Sequence, residues 1–138
     1  MPLRLNPYLN FPGTAREAMT HYRSVFGGEL EIHTFGDYGD PSAPYADGVM
    51  HARLETPDGF TIMASDLPPG MEPPPERGRV SVSLSGDDGA KLRAWWAGLS
   101  EGGDVTMPLQ RQVWGDEFGM CVDRFGITWL VNITTLVE

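Results

Sequence analysis

The sequence predicts an α+β fold made of two tandem modules, each with the order strand, helix, strand, strand, strand (βαβββ). Three features predict it: apolar and polar residues alternate in short runs, two helical stretches each end at a glycine pair, and the order of elements repeats. The repeat is visible in the letters, since RLETPDGFTIMAS aligns with MCVDRFGITWLVN on a shared Gly-x-Thr core. Gly59 then matches Gly126, and Thr61 matches Thr128, at one common offset, which favours a duplication over chance.

The first module begins with period-two alternation over residues 3–11, which predicts a strand with one apolar face. Thr14 and Glu17 have the spacing of a capping box, and an amphipathic helix follows them. Gly27 can take the left-handed conformation that closes the last helical turn, and Gly28 lets the chain reverse. Three more strands are predicted at 29–38, 49–55 and 60–65.

The second module follows a proline-dense stretch, LPPGMEPPPERG, which suits neither a helix nor a central strand. Asp87 or Asp88 can cap the helix of this module, and the pair Gly102-Gly103 ends it. Its strands are predicted at 79–85, in a segment ending near Val113, at 118–122 and at 127–133. The predicted boundaries are 1–66 for the first module, 67–78 for the linker and 79–138 for the second module, which together form one domain.

Composition and charge exclude several classes of partner. Ten Lys and Arg against nineteen Asp and Glu give a net charge of −9, which repels nucleic acid and anionic lipid. No apolar run approaches the ~20 residues of a membrane span, and the N-terminus lacks the regions of a secretory signal. Cys121 is the only cysteine and has no partner for an intramolecular disulfide. We therefore expect a cytoplasmic protein that binds neither nucleic acid nor a membrane.

Three stretches carry a family resemblance: PYLNFPGTAREAMTHYRSVFGGEL, VMHARLETPDG and QVWGDEFGMCVDRFGITWLVNI. They resemble the PhnB-like branch of the vicinal oxygen chelate superfamily, the glyoxalase, bleomycin resistance and dioxygenase proteins, often labelled 3-demethylubiquinone-9 3-methyltransferase. The resemblance implies the glyoxalase fold, with curved mixed sheets around a concave cleft, and a homodimer. The strand-to-helix turn SLSGDDGAKL lacks the glycine-rich cradle that a nucleotide-type methyl donor requires, so methyl transfer is not expected.

Strand alternation predicts which side chains face the cleft, because one face of each sheet packs on a helix. On one strand Ala52 and Leu54 take the packed side, so His51 takes the other side, together with Arg53 and Glu55. By the same parity the other cleft-facing residues are Asn6, Tyr8, Asn10, Thr61, Met63, Ser65, Arg79, Ser81, Ser83, Thr128, Leu130 and Asn132. With Trp114, which stands beside a glycine turn, the candidate substrate-binding residues are Asn6, Tyr8, His51, Arg53, Arg79, Trp114, Leu130 and Asn132.

The resemblance also marks four positions at which metal-using relatives hold a divalent ion. Here they are occupied by Asn6 (or its neighbour Pro7), His51, Arg79 and Leu130. Only His51 is a good ligand, since a guanidinium and an aliphatic side chain cannot replace imidazole or carboxylate. A divalent metal would have an incomplete ligand set, and we expect no cofactor in this place.

Two functions remain open for the cleft. In an enzyme of glyoxalase type, a lyase or isomerase, His51 is the candidate catalytic base and Arg53 or Arg79 holds an anion. In a binding protein of the bleomycin resistance type, the cleft sequesters a small molecule without turnover. Plainer interpretations are a hydrogen-bonded neutral His51, an Arg53 paired with Glu55 or another acid, and a Trp114 that only packs.

Other reactive residues have ordinary explanations. Cys121 lies in a predicted strand and suits an inert core position. His21 and His33 suit surface or edge positions. The acidic residues of the loop after the second strand either form turns or bind a hard cation, and they are Asp37, Asp40 and Asp47.

Overall fold

A computed structural model describes residues 5–67 and 80–134 of the chain. The chain divides into two compact units, Met1–Pro75 and Glu76–Glu138. The predicted linker at 67–78 lies outside the described residues, apart from Leu67. The elements are β1 (Tyr8–Phe11), α1 (Ala15–Phe26), β2 (Glu29–Thr34), α2 (Phe35–Tyr38), β3 (Val49–Glu55), β4 (Thr61–Asp66), β5 (Val82–Gly86), α3 (Gly89–Ser100), β6 (Asp104–Arg111), β7 (Glu117–Val122) and β8 (Thr128–Ile133).

The first unit is a four-stranded mixed sheet with one long helix on one face. Its strand order is β1-β4-β3-β2, and only the β1–β4 pair is parallel. The apolar stripe of α1 packs against β2, β3 and β4. The largest fully buried side chains of this unit come from both layers and are Phe11, Met19, Tyr22, Val49 and Leu54.

The second unit repeats this architecture, which confirms the α+β class and the tandem order of elements. Its strand order is β5-β8-β7-β6, again with one parallel pair, β5–β8. Helix α3 packs on this sheet, and its core includes Leu99, Cys121, Trp129 and Val131. No helix within residues 5–67 and 80–134 is long and apolar enough to cross a membrane.

The turn before the last strand of each unit shows the duplication most clearly. Gly59 and Gly126 have φ values of 87° and 93°, and each donates its N–H to the carbonyl of the residue three positions earlier, Thr56 or Asp123. The side chain at that earlier position accepts a bond four residues on in both turns: Thr56 Oγ1 from the N–H of Phe60, and Asp123 Oδ1 from that of Ile127. The two turns that the sequence repeat aligns therefore have the same backbone and side-chain hydrogen bonds at equivalent positions.

Helix α1 begins differently from the prediction. Thr14 occupies the N-cap position, but its side chain makes no capping bond, so the capping box predicted with Glu17 is wrong. The buried carboxylate of Asp66, at the end of β4, accepts the N–H of Ala15 at 2.8 Å and that of Val49 at 2.9 Å. A tertiary carboxylate thus replaces the local cap, because it accepts a buried N–H of the first helical turn, which has no acceptor within the helix, and also the N–H at the start of β3.

The first glycine pair ends its helix as predicted, whereas α3 ends at Ser100 with Glu101 as its C-cap, one residue before Gly102. Gly27 has a φ of 77° and a ψ of −177°, and its N–H bonds to the carbonyl of Arg23. The positive φ is the expected one, whereas the extended ψ leads the chain directly into β2. In the second unit Asp88, not Asp87, caps α3 by accepting the N–H of Lys91.

Several predicted strand limits shift. The strand predicted at 29–38 ends at Thr34, where Thr34 and Asp37 form a reciprocal capping box and open the short helix α2. Within the described residues the first strand starts only at Tyr8, β5 starts at Val82, and β6 ends at Arg111.

Candidate functional site

The face of the first sheet opposite α1 carries the predicted polar set. We call it the first helix-free face because the long helix α1 lies on the other side, although Tyr38 of the short helix α2 reaches it at β2. Ala52 and Leu54 are buried beneath α1, so alternation turns His51 and Arg53 to the other side. The register extends this row, because Met63 lies opposite Arg53 and Tyr8 lies beside Met63. Asn10 and Ser65 are also paired neighbours, and Ser65 Oγ lies 3.4 Å from Asn10 Oδ1. Asn6 precedes β1 and lies outside the ladder.

His51 is held by a tyrosine from the opposite edge of this sheet. The hydroxyl oxygen of Tyr8 lies 3.3 Å from His51 Nδ1, and the ring centroids are 5.8 Å apart. In the tautomer protonated at Nε2, Tyr8 donates to Nδ1, which fixes the ring orientation. The structure thus shows the hydrogen-bonded imidazole of the plainer interpretation. The bond uses Nδ1, so the other ring nitrogen, Nε2, can contact a ligand.

Arg53 is engaged by two carboxylates. Its guanidinium donates to Glu31 Oε2 at 2.9 Å and lies 3.6 Å from Glu55 Oε1. Glu31 is the direct cross-strand neighbour of Arg53 on β2. An anionic substrate would have to displace these acids, so the arrangement matches the acid-paired interpretation of Arg53. Arg79, the other predicted anion holder, lies outside the described residues.

The sequence analysis missed a second tyrosine–histidine pair on the same face. His33 lies directly opposite His51 in the β2–β3 register, and the Tyr38 hydroxyl is 3.4 Å from His33 Nδ1. The two rings meet edge to face with centroids 5.8 Å apart. The edge position expected for His33 is correct, since β2 is the edge strand of the sheet. The strand register that pairs His33 with His51 cannot be predicted from the sequence of β2 alone.

The second helix-free face, opposite α3, is less charged. Trp129, Val131 and Ile133 are buried, which turns Leu130 and Asn132 to the other side as predicted. Their cross-strand neighbours are Met120 and Phe118, respectively. Asn132 Nδ2 donates to Asp116 Oδ2 at 3.1 Å. Across the parallel β5–β8 pair, Ser83 and Ser85 lie beside Leu130 and Asn132.

Trp114 stands at the end of this second face. It lies in the tight turn between β6 and β7, where Gly115 has a φ of 102° and Gln112 donates its N–H to the Asp116 carbonyl. The residue is 60% exposed, yet its ring packs edge to face on Phe118 with centroids 6.2 Å apart. Trp114 is therefore a largely exposed aromatic residue that contacts Phe118, and it is not a core residue.

Comparison with known proteins identifies the family. The model of the Glyoxalase/Bleomycin resistance protein/Dioxygenase superfamily matches residues 4–131. The chain belongs to this superfamily. PA1353 from Pseudomonas aeruginosa, whose structure has been solved, is 41% identical in sequence to this chain. The TM-score is 0.83, and the match covers 96% of this chain and 98% of that one.

This chain is also similar to more distant proteins, one by sequence and one by structure. Protein YjdN of Escherichia coli is 27% identical over 94% of both chains. A Bacillus cereus PhnB protein labelled 3-demethylubiquinone-9 3-methyltransferase is 22% identical over 96% of this chain and all of that one, with a TM-score of 0.75. The resemblance to the superfamily is thereby confirmed, and a PhnB protein is among the solved structures with this fold; the Bacillus likeness concerns the fold alone.

The residues at the superfamily's metal positions do not fit a metal centre of several protein ligands. Asn6, His51 and Leu130 are the described ones, and His51 is the single good donor among them. The part of the chain that the structure describes contains no group of three or more His, Cys, Asp or Glu that could hold an ion. We derive no chemistry through a bound metal at those positions.

The remaining reactive residues serve the fold. Burial raises the pKa of the Cys121 thiol to about 11, so this core cysteine stays protonated at neutral pH. Hydrogen bonds from Thr34 lower the pKa of Asp37, and bonds from Ser42 lower that of Asp40. These two acids of the loop form turn and capping contacts, as the ordinary explanation predicted.

Proposed function

We propose that the protein binds a planar aromatic small molecule, neutral or positively charged, on the second helix-free face and sequesters it without turnover. The observation that carries this proposal is Trp114, a largely exposed indole packed edge to face on Phe118. An indole in this position offers a flat apolar surface whose orientation is already fixed, which lowers the entropy that a ligand must overcome on binding.

The neighbouring side chains suit such a ligand. Met120 and Leu130 form an apolar cross-strand pair beside Phe118 and Asn132. Methionine adapts its shape to aromatic rings and contacts them favourably. Asn132, held by Asp116, supplies a polar group at one end of this apolar patch. An apolar floor with few fixed polar groups is the usual composition of a small-molecule site.

Charge favours a neutral or cationic ligand over an anionic one. The chain carries a net charge of −9, and Asp116 places a carboxylate next to Asn132 on this face. On the first helix-free face Arg53 is already engaged by Glu31 and Glu55. These observations support sequestration over the processing of an anionic metabolite.

A catalytic function of lyase or isomerase type is the second candidate, and the Tyr8–His51 pair favours it. In the other tautomer, His51 Nδ1 carries the proton and donates it to the Tyr8 oxygen, which orients the imidazole and leaves Nε2 unprotonated to take a proton from a ligand. The turn 83–92 has no glycine-rich cradle, so methyl transfer is not part of either candidate. Mass spectrometry together with nuclear magnetic resonance of a ligand recovered after incubation separates the two, since only an enzyme changes the structure of the ligand and an isomerisation leaves its mass unchanged.

Replacing Trp114 with alanine is expected to weaken binding of proflavine, a planar cation, by tenfold or more, or about 1.4 kcal/mol. Fluorescence titration of full-length protein measures it, with the anionic dye 8-anilinonaphthalene-1-sulfonate expected to bind more weakly than proflavine. Tyr45→Ala is the matched control, because Tyr45 is also exposed and also packs edge to face on a phenylalanine, Phe35. Equal proflavine affinity in wild type and Trp114→Ala would refute the proposed site.

We also propose that the protein is a cytoplasmic homodimer. The family resemblance implies the dimer, and Val105 and Met107 on edge strand β6 expose apolar side chains that a second copy can cover. Light scattering after size exclusion is expected to give about twice the chain mass of 15.2 kDa. A mass of one chain at micromolar concentration would contradict the dimer.

A further inference from the structure

We propose that His33 and His51 form a two-nitrogen binding site for one divalent transition-metal ion, with Cu²⁺ bound most tightly. This site uses two adjacent strands of the first unit. It shares His51 with the four positions that the family resemblance marks, whereas His33 is not among them. It lies on the first helix-free face and is independent of the proposed aromatic site on the second.

The register places both imidazoles within reach of one ion. His33 and His51 are direct partners in the antiparallel β2–β3 pair, so their side chains leave the same face of the sheet. Directly opposite residues have Cβ atoms about 4.5–5.5 Å apart. With this distance between their Cβ atoms, two imidazoles can each place a nitrogen about 2.0–2.1 Å from a metal ion that lies between them.

Each imidazole already has the supporting partner that a ligating histidine requires. The Tyr8 hydroxyl lies at Nδ1 of His51, and the Tyr38 hydroxyl lies at Nδ1 of His33. Both contacts are made at Nδ1, so they leave Nε2 of each ring for a metal ion. When Nε2 ligates a metal, Nδ1 carries the proton and donates it to the tyrosine oxygen, an arrangement that orients the ring and increases its basicity.

The surrounding charge favours a cation. Glu29 and Glu31 share the β2 side of this face with His33, and Glu55 shares the β3 side with His51. Arg53 is the positive group between them, and two of these acids engage it. Two protein nitrogens leave the remaining ligand positions to water, so the site is expected to follow the general affinity order in which Cu²⁺ exceeds Ni²⁺ and Zn²⁺.

Isothermal titration with Cu²⁺ tests the site, using tag-free full-length protein stripped with chelator and kept in a buffer that does not bind copper. One Cu²⁺ per chain is expected to bind, with Zn²⁺ weaker. His33→Gln and His51→Gln are each expected to weaken Cu²⁺ binding at least tenfold, and the double variant only slightly more, because either single change already removes the chelate. His21→Gln, on helix α1, is the matched control and is expected to bind as wild type.

Pulsed electron paramagnetic resonance of the copper complex supplies the independent readout. Two equivalent imidazole nitrogens are expected in wild type and one in each single variant. Wild-type affinity in both single variants, an equal loss in His21→Gln, or a signal without two imidazoles would overturn the proposal. Proflavine binding by His33→Gln is expected to be unchanged, so failure of the metal site and failure of the aromatic site give different results.

Discussion

Replacing Asp123 with alanine is expected to lower the free energy of unfolding by about 3–4 kcal/mol. The residue is only 3% exposed, and its carboxylate accepts three bonds: from the N–H groups of Phe125 and Ile127 and from the indole N–H of Trp129. Alanine leaves these donors without their acceptor, and the buried indole cannot recover its bond from bulk water. Urea unfolding followed by circular dichroism measures the loss.

The residue at the equivalent position of the first unit provides the control for the Asp123 variant. Thr56 holds the corresponding place in the first unit, but its side chain accepts a single N–H, that of Phe60, among the residues that the structure describes. Thr56→Ala is therefore expected to cost about 1 kcal/mol. Asp123→Asn keeps one acceptor oxygen but turns an amide donor toward one of the three donors, so its cost should lie between the two alanine variants. If Asp123→Ala costs no more than Thr56→Ala, the three-bond explanation is wrong.

Gly28→Ala is expected to cost about 4 kcal/mol or more, or to prevent folding. A Cβ at this position would lie 2.0 Å from the carbonyl oxygen of Glu55, and the φ of 109° disfavours any L side chain. Since the obstacle is backbone of β3, relief requires the β2–β3 pairing to shift. Thermal and urea unfolding, with solubility of the expressed protein, measure the effect.

Two other glycines separate the two causes. Gly13 has a φ of 99°, and no atom of the described residues lies within 4 Å of an added methyl group, so Gly13→Ala tests backbone strain alone, at about 1–2 kcal/mol. Gly103 lacks a positive φ, but its Cβ would lie 2.2 Å from the Val122 carbonyl oxygen, so Gly103→Ala tests the steric contact. The expected order of destabilisation is Gly28, then Gly103, then Gly13. A Gly28→Ala protein as stable as Gly13→Ala would contradict the contact.

Alternation explains why most of the fold was predictable. A strand has a period of two, so burial of Ala52 and Leu54 decides the side of His51 without knowledge of the neighbouring strands. The glycine-ended helices and the repeated Gly-x-Thr turn are local signals as well. The box of Thr34 and Asp37 was also present in the sequence, and its spacing could have revealed the start of α2.

The candidate sites were less predictable because their contacts depend on register between strands. The alternation of β2 would have placed His33 on the same side as Glu29 and Glu31, yet nothing in that segment shows that His33 meets His51 or that Glu31 meets Arg53. Likewise, nothing in the sequence around Trp114 shows that its ring contacts Phe118. Asp66 shows the limit most clearly, since its spacing gave no sign that it would replace Thr14 at the start of α1.

The link from Asp66 to Ala15 also constrains how the first unit assembles. During synthesis, α1 leaves the ribosome long before residue 66, which lies 51 positions later. Until β4 arrives, the nascent helix lacks the acceptor for its first N–H, and a segment of its length is marginal in water by itself. Late closure of this long loop therefore makes the unit fold as one cooperative body once its last strand is available.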